Sequence, residues 1–132
     1  MSEATPGLRH VRHYTLDEAN GALPWISECL ERLREAQAVV SDEGGREALA
    51  RAAAESGGGF PNREVAEALG AWQATIAELD AADVVLRDVE RGLFDFPALR
   101  DGEEIYLCWV DGEERIAFWH DPEAGFAGRQ PL

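Results

Sequence analysis

Asp95 interrupts the apolar run Leu93-Phe94-Asp95-Phe96-Pro97, and a carboxylate held among aromatics needs a reason, because a buried charge is costly unless it is paired. His120 closes a second aromatic run, Phe118-Trp119-His120. Two side chains of these types support either of two chemistries: ligation of a divalent metal, or an acid/base pair in which the carboxylate fixes the imidazole tautomer. Glu113 is a third candidate metal ligand, and Arg129 in the closing GFAGRQPL offers a planar fork for an anionic group. Cys108 and Trp109 are candidates for contact with a ligand. Each residue also has a plain structural role open to it. Asp95 would turn the backbone before Pro97, and His120 would start the His-Asp-Pro turn. Cys108 would be a small buried hydrophobe, Arg129 would pin the tail to a surface carboxylate, and Tyr106, Trp109, Phe118 and Trp119 would be core rather than pocket lining.

Asp111-Gly112 joins Ile105–Val110 to Arg115–Trp119, and this dipeptide favours the positive φ angles of a tight hairpin. With a loop of two or four residues, Ile105, Leu107, Trp109, Ile116, Phe118 and His120 share one face, and Tyr106, Cys108, Arg115 and Trp119 the other. That register turns Cys108 away from His120, so the two are not expected to share a metal. A three-residue loop would break the grouping.

Upstream, Thr15-Leu16-Asp17-Glu18 reads as a capping box that starts a helix. Apolar residues then recur at Leu16, Ala19, Leu23, Ile26, Leu30, Leu33 and Val40 in helical steps. Pro24 lies inside the pattern, so either a short helix ends near Asn20-Gly21 and a second begins at Pro24, or one helix kinks there. Glycines flank the segment REALARAAAE, giving a flexible connection over 41–61 that holds a short helix; the triple glycine lacks the spacing, lysine and preceding strand of a phosphate loop. Asn62 caps a second long helix with the stripe Val65, Leu69, Trp72, Ile76, Leu79, ending near Ala81, after which Val84-Val85-Leu86 reads as a strand. Residues 1–9 read as a loose tail, and 10–14 as a short extended arm.

The chain of 132 residues is expected to form a single domain, 1–132, of α+β class. Two long antiparallel helices would pack on a small antiparallel sheet built around the C-terminal hairpin. Twenty-six acidic against twelve basic side chains give a net charge of −14, a field that repels nucleic acid and anionic lipid. Every basic residue is arginine, which removes lysine Schiff-base chemistry and the lysine of a phosphate loop. Cys29 and Cys108 stand far apart and form no disulfide framework. With no apolar leader and no long apolar run, the expected location is the cytoplasm.

Tyr14-Thr15-Leu16-Asp17-Glu18-Ala19-Asn20 with Leu23-Pro24, Gly92-Leu93-Phe94-Asp95-Phe96-Pro97, Leu107-Cys108-Trp109, Gly112-Glu113, Trp119-His120 and Gly125-Phe126-Ala127-Gly128-Arg129 together resemble a bacterial family, domain of unknown function 2203. The resemblance implies that Asp95, Cys108, Glu113, His120 and Arg129 belong to the family pattern, and it implies no activity, substrate or cofactor. Two functions follow as expectations. One is a metal-binding or acid/base enzyme acting on a small molecule, with Asp95 and His120 as ligands or catalytic pair. The other is a noncatalytic protein-protein interaction module, using its helical stripes for a partner or a homodimer.

Overall fold

The computed structural model describes residues 8–41 and 63–132. The connection expected at 41–61, apart from Ser41, its short helix, the Asn62 cap and the tail up to Gly7 lie outside the described residues. The fold is α+β, in the order α1 (Leu16–Gly21), α2 (Leu23–Ser41), α3 (Arg63–Ala81), β1 (Val85–Asp88), β2 (Leu93–Arg100), β3 (Glu103–Val110), β4 (Phe118–His120), a 3-10 turn (Phe126–Gly128) and β5 (Gln130–Pro131). No helix among the described residues is long and apolar enough to cross a membrane.

The chain divides into two compact units, Met1–Ser27 with Leu79–Leu132, and Glu28–Glu78. In the second, α2 buries Cys29, Leu30, Leu33 and Ala36, and α3 buries Val65, Ala68 and Thr75. The Thr75 hydroxyl satisfies itself on the Ala71 carbonyl at 2.7 Å, which is how a threonine fits a buried helix face. Arg32 forks onto Glu78 at 2.7 and 3.3 Å, while Ala36 and Val40 line one notch with Leu69 and Trp72. Rising numbers on α2 meet falling numbers on α3, so the two run antiparallel.

The first unit is built on a five-stranded antiparallel sheet in the order β1-β2-β3-β4-β5. The capping box at Thr15 is complete: its hydroxyl accepts from the Glu18 amide at 3.1 Å, and Glu18 accepts from the Thr15 amide at 2.8 Å. α1 stops at Gly21 and α2 begins at Leu23, with Pro24 in its first turn, where the missing amide hydrogen has no intrahelical partner to lose. Leu16, placed on the apolar stripe by its spacing, is exposed. α3 ends in a left-handed turn: Asp83 has φ 61°, its amide reaches the Asp80 carbonyl, and the Val84 amide reaches Leu79. That is a Schellman motif with aspartate where glycine is usual.

β2 and β3 form the tight hairpin, turning through Asp101-Gly102 with φ 52° and 80°, the positive pair a two-residue turn demands. β2 tolerates Pro97 because β1 pairs only as far as Asp95. Beyond it, the Pro97 carbonyl accepts from the Tyr14 amide at 2.7 Å.

The second hairpin departs from the sequence expectation. Asp111-Gly112 opens a longer connection, residues 111–117, before β4. Two contacts stretch it. The Ile116 amide donates to the Asn20 side chain at 2.8 Å, and the Glu113 carboxylate folds back onto the Val110 amide at 2.8 Å. The resulting register pairs Tyr106 with His120, Leu107 with Trp119 and Cys108 with Phe118. A shift of one residue exchanges faces. His120 and Phe118 therefore lie on the face of Cys108 and Tyr106, while Trp119 joins Ile105, Leu107 and Trp109, and the expected separation of Cys108 from His120 is overturned.

Candidate metal centre

One face of the sheet is apolar: Phe94, Phe96 and Ala98 of β2 stand opposite Trp109, Leu107 and Ile105 of β3. The other carries the chemistry. Val85, Asp95, Cys108, Phe118 and Pro131 are cross-strand partners in a single row, with Pro97, Tyr106 and His120 in the next. Asp95, Cys108 and His120 are 1%, 0% and 2% exposed. One ligand atom of each lies within 4.8 Å of the other two.

The hydrogen bonds fix what each group presents. His120 Nδ1 lies 2.8 Å from the Asp121 carbonyl, which can only accept, so Nδ1 carries a hydrogen. Nε2 then faces Asp95, 3.0 Å from both carboxylate oxygens. Acceptors on both ring nitrogens leave two arrangements: an imidazolium with Nε2 also protonated, or a neutral ring whose Nε2 lone pair meets a cation shared with Asp95. Burial opposes the charged ring, yet the hydrogen bonds to Asp95 and to the Asp121 carbonyl outweigh it and raise the His120 pKa above its ordinary value.

Burial, followed by the Asp95 charge, pushes the Cys108 thiol up to about 12, so without a cation it stays protonated. Arg129 acts in the opposite direction on the same thiol. Asp95 is further held by Arg87, whose Nε donates to Oδ2 at 2.9 Å. The Arg87 guanidinium also lies 5.0 Å from the centre of the Tyr106 ring, and that ring packs 5.5 Å from His120.

Among the residues singled out by sequence, Asp95 and His120 meet, and Cys108 joins them. Glu113 does not: its carboxylate takes both 2.8 and 2.7 Å bonds from Arg129 Nη2. Arg129 lies over the Phe118 and Phe126 rings. The Trp109 indole faces the apolar side and donates to the Glu113 carbonyl at 2.9 Å. Two participants were not visible in the sequence, Arg87 and His10, and Tyr106, read there as core, is the partner of both. Arg87 carried a signal, being the charged residue two places after Val85 in a strand that alternates toward Asp95. His10 carried none, since its partners Asp83 and Tyr106 are remote in sequence.

The donors suit one class of ion. A histidine that gives its outer N–H to a backbone carbonyl presents its other nitrogen, the usual arrangement of a metal-ligating imidazole. Sulfur, nitrogen and oxygen together favour zinc-like transition ions over magnesium or calcium, which take oxygen throughout.

An α+β protein with a buried carboxylate, thiol and imidazole on one face of its sheet is the class so defined. Residues 12–132 match the family model described as "Uncharacterized conserved protein (DUF2203)", and the chain belongs to that family. No curated protein and no solved structure matches the chain.

Proposed function

We propose that this protein binds a divalent transition-metal ion of the zinc class through Asp95, Cys108 and His120, and that the ion serves chemistry on a small molecule. The observation that carries the reading is the His120 ring with an acceptor on each nitrogen, beside a thiol that lies within 4.8 Å of the same carboxylate and imidazole. Three protein donors leave one tetrahedral position for water or a ligand, the pattern of catalytic rather than closed structural zinc. Arg87 neutralises Asp95 from the exposed side, and Arg129 stands near the thiol as the basic group best placed to favour an anionic ligand.

The same geometry supports a second reading, a metal-free acid/base pair, because an imidazolium between the Asp121 carbonyl and Asp95 satisfies every bond without an ion. Metal content separates the two. Protein purified without tag or chelator is expected to carry close to one equivalent of zinc or a similar ion, and Cys108→Ser and His120→Ala variants that still unfold cooperatively are expected to lose it. If wild type and variants stay metal-free even after dialysis against zinc, the metal reading fails and the acid/base pair remains.

A further inference from the structure

Residues 8–14 lie against the sheet at Glu104, Tyr106 and Pro97, and before Tyr14 they have little apolar anchoring: Val11 is 60% exposed. The bonds that hold them end on two carboxylates. Glu104 accepts from the amides of Arg9 and His10 at 2.8 and 3.0 Å and meets His13 Nε2 at 2.8 Å. Asp83 accepts from the amides of Val11 and Arg12, both at 3.2 Å, and from His10 Nδ1. The other nitrogen of His10 is 2.7 Å from the Tyr106 hydroxyl. Tyr106 lies against His120 and Arg87, so the segment rests on the side chain that walls the buried cluster.

Asp83 itself argues that the latch is a built feature. It occupies the left-handed position at the end of α3, where glycine is favoured and a side chain is strained. Aspartate there gives up backbone comfort, and its carboxylate gathers two amides and an imidazole in return. Beside the segment lies an open groove of about 730 Å³, bordered by Leu8 and Arg9, by Glu103 and Glu104 at the hairpin turn, and by Asp121 and Pro122 directly after His120.

We infer that residues 8–14 form a releasable strap, latched by Asp83 and Glu104, that closes the way from this groove to Tyr106, His120 and the thiol of Cys108. Release of the strap opens the groove onto His120 while the sheet and helices stay folded. Its functional weight rests on the metal reading above, since it controls access to that same cluster. Its test needs no metal.

The two buried thiols are built-in reporters: Cys108 lies on the same sheet face as Tyr106, on which the strap rests, and Cys29 lies in the other compact unit. The full chain is pulsed with iodoacetamide under native conditions, and labelling at each cysteine is read by mass spectrometry. Asp83→Gly removes the latch while relaxing the backbone, and Glu104→Gln removes the charge with little change of shape. Each is expected to speed Cys108 labelling at least tenfold with Cys29 unchanged. Cys108 rates equal to wild type would overturn the inference, and so would equal acceleration of both thiols, which reports global loosening. If Asp83→Gly no longer unfolds cooperatively, Glu104→Gln alone decides.

Discussion

Asp95 is surrounded from three directions: His120 at 3.0 Å to both oxygens, Arg87 at 2.9 Å, and the Cys108 thiol within 4.8 Å. The burial of these partners differs, and so should the cost of losing them. Asp95→Ala leaves the buried Nε2 of His120 without its acceptor and is expected to destabilise the fold by about 3–5 kcal/mol, the usual cost of breaking a buried pair. Arg87, 41% exposed, should cost about 1 kcal/mol or less on conversion to alanine. The same change removes a cation that competes for Asp95, so Arg87→Ala is expected to bind zinc about tenfold more tightly, equivalent to about 1.4 kcal/mol. Urea unfolding and a chelator competition titration check the pair of effects; weaker zinc binding by Arg87→Ala would show that the arginine supports the ion rather than opposing it. At this scale the sequence exposed Asp95 and His120, because a charge inside an aromatic run stands out. It hid their union with Cys108, because that depends on a strand register decided elsewhere.

Elements were legible where their signals are local. The Thr15 capping box, the break near Pro24, of which the sequence left a restart and a kink both open, and the end of α3 at Ala81 all rest on residues within a turn of one another. The faces of β4 were not, since the connection 111–117 is stretched by Asn20, remote in sequence from the Ile116 amide it holds. Asp-Gly occurs at both turns, and only the 101–102 copy makes the tight one. Gly102→Ala is therefore expected to cost about 1–2 kcal/mol by forcing a side chain into φ 80°, measurable as a lower unfolding midpoint. No loss would mean that the turn readily adopts another form. The strap makes a prediction in pH. Burial raises the Asp83 and Glu104 carboxyls, but the hydrogen bonds from His10 and the Arg12 amide to Asp83, and from the Arg9 amide and His13 to Glu104, outweigh it and leave both below the usual range. A depressed folded value means that the latch is at full strength above the ordinary carboxylate pKa and weakens as pH falls through the depressed values. Facing Asp83 are His10, Arg12 and Tyr14, and facing Glu104 are Arg9, His10 and His13. Amide exchange at 9–12, corrected for intrinsic rate, should stay protected at neutral pH and lose protection below the carboxylate range before β2 and β3 do; simultaneous loss would contradict a separate strap.

On the scale of the whole molecule, a net charge of −14 on 132 residues sets a strong self-repulsion, and added salt screens it. The melting temperature is expected to rise as sodium chloride goes from about 0.01 to 0.15 M, over which the Debye length shortens from about 30 to 8 Å. A fall would indicate that the ion pairs outweigh the net charge. The same acidity attracts divalent cations to the surface without specificity, so bound metal alone does not establish a site. A titration of metal-free protein with cobalt(II), followed by absorption, is the most direct test of the cluster. Saturation at one equivalent is expected, with a sulfur-to-cobalt charge-transfer band that is absent in Cys108→Ser and retained in Cys29→Ser. Weak, unsaturable binding without that band, or a band that follows Cys29, would contradict a metal site at the cluster.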